Sequence, residues 1–158
     1  MYFLVPIILE RLERELETAV AASKEAHSSA THSENVADNK YGTLALEAAY
    51  LAHGQSVRIV ELQRSILLYR HFQTPIFTTE STIELGALID LEDPVGDRQR
   101  IFLGPAAGGL IIAEEPLAIK VVTAATPLGK LLLGKHIDED FVLTVGTSTH
   151  HFSITNIQ

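Results

Sequence analysis

The chain has 158 residues, of which 46% are hydrophobic and 20% are charged, and its formal net charge is −8. Its length allows one hydrophobic core or two small ones, and its net negative charge argues against broad electrostatic coating of nucleic acid, which needs clustered Lys and Arg. Cysteine is absent, which excludes disulfides and thiolate metal sites and favours the cytoplasm. No segment approaches the roughly 20 apolar residues of a membrane-spanning helix.

Two long helices are predicted in the first half of the chain. The first runs from Pro6 to about Ser28, because apolar residues recur there at three- and four-residue steps: Ile8, Leu12, Leu16, Ala19 and Ala26. Its opening stretch lacks the basic segment and cleavage site of a signal peptide, so we expect it to start the helix. The second runs from about Thr31 to Tyr69 with coiled-coil spacing: Leu44, Ala48, Leu51, Gln55, Ile59, Leu62 and Ile66.

Two such helices joined by a short polar link are expected to form an antiparallel hairpin. The second helix would be about 50 Å long, so the hairpin should project. Large side chains give way to alanine towards the link, which predicts a slender tip that could enter a narrow opening. The alternative explanation is only that alanine has the highest helix propensity.

The link "THSENVADNKY" (31–41) carries two carboxylates, Glu34 and Asp38. Thr31 and Glu34 form a capping box for the second helix, which is a complete structural explanation of Glu34. Alternatively, the two carboxylates lie on one helical face and together bind a hydrated Mg²⁺, which often has only one or two protein carboxylates. A partner would then supply the remaining ligands, and the spacing alone leaves both interpretations open.

The second half of the chain is predicted to contain strands and one short helix. Short β-branched runs are separated by Pro and Gly, and "EDPVGDRQR" predicts a hairpin loop between residues 87–91 and 98–103. Thr126 as N-cap, Pro127 at the first helical position and Gly134 just past the end predict the helix. The last 19 residues predict a terminal hairpin.

The predicted fold class is therefore α+β. Residues 1–74 form the coiled-coil hairpin, with its acidic tip near 31–41, and residues 75–158 form a small antiparallel sheet domain covered by the short helix. The boundary is expected near Phe72–Pro75. Catalytic patterns are missing from both parts, because the histidines have no ligand spacing and "GPAAGG" lacks the Lys-Ser/Thr of a phosphate loop. We expect no active site within this chain.

The C-terminal stretch "VVTAATPLGKLLLGKHIDEDFVLTVGTSTHHFSI" resembles the end of bacterial Gre-type (GreA/GreB family) transcription elongation factors. There a "SPLGxALLGKxxGDxV" motif closes a domain with the FKBP-like fold. The looser stretches "LGALIDLED" and "IFLGPAAGG", together with the N-terminal hairpin, extend the resemblance over nearly the whole chain. Eight residues stand for the two halves of the motif here: Thr126, Pro127, Leu128, Gly129, Leu132, Leu133, Gly134 and Lys135.

The resemblance implies that the hairpin enters the secondary channel of RNA polymerase, with only indirect contact to nucleic acid. In the family, paired tip acids help to hold the second catalytic Mg²⁺, and the polymerase itself hydrolyses backtracked RNA. The protein would be an accessory factor and not an enzyme, with no membrane partner and no cofactor besides Mg²⁺ shared with the polymerase. Its tip acids would be Glu34 and Asp38, supported by Thr31, Asn35, Asn39 and Tyr41.

The tip departs from the family sequence "DLKENAEY". Matching "EN" to Glu34 puts Thr31 where the first Asp belongs, and matching it to Asp38 puts Asn35 there, so neither register restores the Asp-x-x-Glu pair. Two outputs stay open: cleavage stimulation, or occupation of the channel as a modulator or competitor. Further alternatives are a coiled-coil adaptor and a prolyl isomerase, the latter suggested only by fold and opposed by four aromatic residues placed as core: Phe77, Phe102, Phe141 and Phe152.

Overall fold

A computed structural model describes the backbone of residues 3–34 and 42–158, and the side chains of 3–26, 28, 50 and 53–158. Over these residues two long helices precede a six-stranded sheet with one short helix, which confirms the α+β class. No helix in this part of the chain is long and apolar enough to cross a membrane. The elements are α1 (Leu4–Glu34), α2 (Gly42–His71), β1 (Leu88–Glu92), β2 (Arg98–Gly104), β3 (Ile111–Ile112), β4 (Ile119–Thr123), α3 (Pro127–Leu132), β5 (Asp140–Val145) and β6 (Ser148–Ile157).

The backbone groups into two compact units. One comprises Ile8–Leu67, and the other comprises Met1–Ile7 together with Leu68–Gln158. The first unit is therefore helical, whereas the second contains the whole sheet. The predicted domain boundary near residues 72–75 stays a prediction.

The helical unit pairs α1 with α2 along the apolar positions that the sequence predicted. Among the side chains of this unit that the structure describes, the buried apolar ones are Ile8, Leu12, Ala19, Leu62 and Ile66. Arg58 of α2 joins Glu15 of α1 through an Nη2–Oε2 contact of 2.8 Å. The 31 residues of α1 span about 45 Å, whereas the chain from Glu34 to Gly42 can reach only about 28 Å. The helices must therefore run antiparallel, as expected.

The end of α1 differs from the prediction. The sequence pattern ended the first helix near Ser28 and made Thr31 the N-cap of the second, but α1 continues through Glu34. No Gly or Pro stands in residues 28–34, and the Ser, Thr and His residues there lower helix propensity by only about 0.5 kcal/mol each. Thr31 therefore lies within α1, which removes the capping box as an explanation of Glu34.

The sheet is mixed, with the strand order β3-β4-β2-β1-β6-β5. The predicted hairpins β1–β2 and β5–β6 are confirmed as antiparallel pairs. The prediction of a wholly antiparallel sheet is wrong, because β2 and β4 are parallel. The 14 residues between Gly104 and Ile119 are long enough to carry the chain back to the starting side of β2. The two-residue strand β3 within this connection pairs with the outer side of β4.

One face of the sheet carries the main core of this unit. A β-bulge between Asp90 and Leu91 shifts the register against β6, so that Ile154 and Ile157 are both buried although they are three residues apart. The predicted core role of the aromatic residues is confirmed: Phe141 and Phe152 belong to this core and Phe77 packs against it, whereas Phe102 is buried on the other face of the sheet. The core comprises Ile83, Ala87, Ile89, Leu91, Ile101, Leu103, Val122, Leu132, Phe141, Phe152, Ile154 and Ile157.

Candidate functional site

The first of the two predicted tip acids, Glu34, lies in α1. Glu34 is the last residue of α1 that the structure describes, and Thr31 lies one turn earlier in the helix. The pairing of two carboxylates stays a prediction, because the side chains of Thr31 and Glu34 lie outside the described residues, as do Asn35, Asp38, Asn39 and Tyr41.

The described histidines do not form a metal centre. Among the described residues, no His, Asp and Glu side chains form a group of three or more that could hold a metal ion. His150 pairs with Leu143 and His151 with Val142, so the two histidines face opposite sides of the sheet, as predicted. The ring of His150 stacks at 6.3 Å, between centroids, on Phe152. These two histidines therefore belong to the surface and packing of the terminal hairpin.

The first half of the C-terminal motif forms a capped helix. Thr126 is the N-cap of α3: its Oγ1 accepts a hydrogen bond from the Gly129 N–H at 3.1 Å and donates one to the Thr123 carbonyl at 2.8 Å. Pro127 occupies the first helical position, where its missing N–H costs nothing. The motif thus ties the start of α3 to the end of β4.

The second half of the motif holds α3 against the sheet. Leu132 is buried in the main core, and Leu128 packs against it, whereas Leu133 is 40% exposed. Gly134 has a φ of +77°, which favours glycine, and its N–H donates to the Ile83 carbonyl at 2.9 Å. The motif residues therefore position the helix, and the structure assigns them no chemical step.

Lys135, the last motif residue, joins a small charged cluster after α3. Glu139 Oε2 accepts from Lys135 Nζ at 2.8 Å, and Glu139 Oε1 accepts from the His136 backbone N–H at 3.0 Å. The Lys135 hydrogen bond, followed by the two from His136, lowers the pKa of Glu139 from 4.5 to about 2. The carboxylate consequently stays ionised and keeps residues 135–139 in a closed turn.

Replacing Glu139 with glutamine should make thermal stability less sensitive to acid. Because the folded-state pKa lies below the unfolded one, the carboxylate stabilises the fold fully above pH 4.5 and loses this effect as the pH falls towards 2. We expect Glu139→Gln to have a lower Tm than the wild type at neutral pH, with the gap closing in acid. Melting curves between about pH 7 and 2.5 test this, with Glu80→Gln as the control. An unchanged gap would contradict it.

The face of the sheet opposite the main core carries paired charges that the sequence reading did not single out. Arg100 binds Asp90 with two contacts, Nε–Oδ1 at 2.6 Å and Nη2–Oδ2 at 3.2 Å, and Asn156 Nδ2 donates to the same carboxylate at 3.2 Å. Donating these hydrogen bonds to the Asp90 carboxylate raises the pKa of the Arg100 guanidinium. Arg98 and Glu92 form a second ion pair, with Arg98 Nε 2.8 Å from Glu92 Oε2. Both ion pairs could have been predicted from the sequence, because their charged residues are placed symmetrically about the predicted hairpin loop.

Comparisons with known proteins give similar structures but no family. No protein-family model matches the chain, and no curated protein does. A structure of the transcription factor Gfh1 is 24% identical with a TM-score of 0.41, and covers 94% of this chain and 92% of that one. Gfh1 of Thermus aquaticus is 25% identical, with a TM-score of 0.40 and the same coverage. GreA factor homolog 1 (Gfh1) of Thermus thermophilus is 22% identical, with a TM-score of 0.40 over 99% and 94% of the two chains.

Proposed function

We propose that this protein is a Gre-like transcription elongation factor that binds RNA polymerase by inserting its helical hairpin into the secondary channel. The proposal is carried by the C-terminal motif, whose residues form a capped helix pressed onto a sheet, the role that the resemblance gives them. Thr126 supplies the cap, Gly129 allows the close approach, and Leu132 enters the core. An FKBP-like sheet domain and a cytoplasmic location, where the polymerase works, belong to the same proposal.

The length and the small-residue seam of the helical unit support this proposal. Its first helix is about 45 Å long, and its seam narrows from Leu12 to Ala19 and Ala22, which are buried or half-buried. Small side chains allow two helices to approach closely, so the far part of the hairpin can be slender. These properties support entry into a narrow opening, with the acidic residues near 31–41 leading.

We propose that the bound protein stimulates the polymerase to cleave backtracked RNA. Glu34 and Asp38 would contribute carboxylate ligands to the second catalytic Mg²⁺, which supplies the charge stabilisation for hydrolysis when it is bound. This chain would hold the ion and perform no bond-breaking step itself.

A second candidate is a modulator that occupies the channel without stimulating cleavage. Thr31 and Glu34 lie one turn apart in α1, so in this register a neutral hydroxyl stands where the family has a carboxylate. A site with one carboxylate fewer attracts Mg²⁺ less strongly. This substitution specifically favours the second candidate.

Cleavage by a stalled, backtracked polymerase complex distinguishes the two candidates. We expect the wild type to raise the cleavage rate at least tenfold and Glu34→Ala/Asp38→Ala to abolish the increase, while both proteins still bind polymerase in a co-purification assay. The control Glu17→Ala/Glu25→Ala removes two exposed acids elsewhere on α1 and should behave as wild type. Thr31→Asp should increase cleavage further, because it restores the family pair.

Each outcome of this experiment has a separate meaning. Binding of the wild type without cleavage would replace the first candidate with the second, and Thr31→Asp would then be expected to create the activity. Failure of the wild type to bind polymerase would overturn the whole proposal and favour an adaptor with another partner.

A further inference from the structure

The two edges of the sheet are built differently. One edge is β3, which has only two residues and follows Gly108 and Gly109. The other is β5, whose six residues pair with β6 on one side and, among the residues that the structure describes, with no strand on the other. Proteins usually protect an edge with Lys, Pro, a bulge or a very short strand. The strand β3 is protected by its length, whereas β5 contains no Lys or Pro and a single charge, Asp140.

The outward-facing backbone groups of β5 can be assigned from its bonds to β6. The Ile154 N–H donates to the Glu139 carbonyl at 3.0 Å, just before β5 begins. In an antiparallel pair the residues bond alternately to one side and the other, and Val145 pairs with Ser148 across the terminal turn. The N–H and carbonyl groups of Asp140, Val142 and Thr144 therefore point away from β6, towards the open edge.

The side chains of the same three residues leave this edge accessible. Val142 is 45% exposed, and Asp140 and Thr144 are exposed on the same face. On the other face, Phe141 is buried and Leu143 is half-buried. The edge thus offers exposed side chains and backbone groups that have no strand partner among the described residues.

We propose that β5 is a self-association edge that pairs antiparallel with β5 of a second copy of this chain, about a two-fold axis at Val142. In this register Val142 lies opposite its symmetry mate, and Asp140 lies opposite Thr144. The outward backbone groups of all three residues then meet in hydrogen-bonded pairs. On the opposite face Phe141 lies next to Leu143.

Charge complementarity selects the second copy as the occupant. Like charges placed directly opposite destabilise a strand pair, but the two-fold axis keeps the Asp140 carboxylates at opposite ends of the ladder. Each carboxylate instead faces a Thr144 hydroxyl, which can donate a hydrogen bond to it. Asp140 already accepts one from Ser153 Oγ at 2.6 Å and has a second oxygen for this purpose. The strand is thus complementary to itself.

The association should be weak and dependent on concentration, because one pair of short strands buries less than the roughly 1,200 Å² of a stable interface. Sedimentation of the purified full chain from about 10 µM to about 1 mM should show the average mass rising from 17.3 kDa towards twice that value. Val142→Lys should weaken association at least tenfold, since it places two ammonium groups on the axis. Val57→Lys is the matched control, because Val57 lies on α2 and is 46% exposed.

The register can be tested separately with single cysteines, because the chain contains none. In Val142→Cys the two thiols would meet at the axis, where Cα atoms about 5.5 Å apart suit a disulfide. With diamide as the oxidant, we expect this variant to form dimers at least ten times faster than Val57→Cys. The inference is overturned if the wild type stays monomeric throughout, if Val142→Lys associates as the wild type does, or if the two cysteine variants cross-link at equal rates.

Discussion

Replacing Tyr69 with alanine is expected to lower the free energy of unfolding by about 4 kcal/mol. The side chain is only 1% exposed and packs edge-on against Phe72, with ring centroids 6.5 Å apart. Its hydroxyl donates to the Ala106 carbonyl at 2.9 Å, and Gly104 makes room for it, since a Cβ there would lie 2.2 Å from Tyr69 Oη. Truncation would therefore leave a cavity and remove a hydrogen bond.

Urea unfolding of three variants separates the contributions to this effect. Tyr69→Phe keeps the ring and should cost about 1 kcal/mol, the usual value of one hydrogen bond. Burial also raises the pKa of Tyr69, so the hydroxyl should remain a donor in moderately alkaline solution. Tyr50→Ala is the control, because Tyr50 is 71% exposed and its loss should change stability by less than about 0.5 kcal/mol. Equal losses at positions 50 and 69 would contradict the assigned packing.

Gly129→Ala is expected to destabilise the protein by about 3 kcal/mol, although alanine is the better helix former. A Cβ at position 129 would lie 2.1 Å from the Thr123 carbonyl oxygen and 2.8 Å from its carbon. The Thr123 carbonyl cannot easily move away, because it accepts two hydrogen bonds from Thr126, one from the N–H at 3.0 Å and one from the hydroxyl at 2.8 Å. The clash is therefore with backbone at the junction of β4 and α3.

Gly54→Ala is the control, and we expect it to change stability in the opposite direction. Gly54 also lies inside a helix, but a Cβ there would meet no atom within 4 Å. Alanine at this position should stabilise the protein by up to about 1 kcal/mol through helix propensity alone. Thermal or urea unfolding of both variants decides the matter, and a stabilising Gly129→Ala would show that α3 does not approach β4 as closely as described.

The same contrast explains which parts of the candidate site could be predicted. The cap at Thr126, the proline after it and the turn at Gly134 are local signals, because each depends on hydrogen bonds and dihedral angles within a few residues. The need for glycine at position 129 is not local. It arises from the Thr123 carbonyl of the preceding strand, and helix propensity alone predicts the wrong residue there.

The charge pairs across the sheet also combine a part that local sequence predicts with a part that it does not. The register of the β1–β2 hairpin brings Asp90 to Arg100, and a sequence reading that counts outwards from the loop could find that pair. Asn156 reaches the same carboxylate only because β6 lies on the other side of β1. Its part in the cluster depends on the order of strands, which no local pattern contains.

The sequence by itself determined the periodic seams of α1 and α2, the capped helix α3 and the two antiparallel hairpins, because side-chain periodicity and turn chemistry act over a few residues. Only the tertiary structure decided that β2 and β4 are parallel, that β5 is the outermost strand on one side of the described sheet, and that α1 continues through Glu34. The first two depend on contacts between residues far apart in the chain. The third depends on a small difference in propensity, which neighbouring turns of the same helix can outweigh.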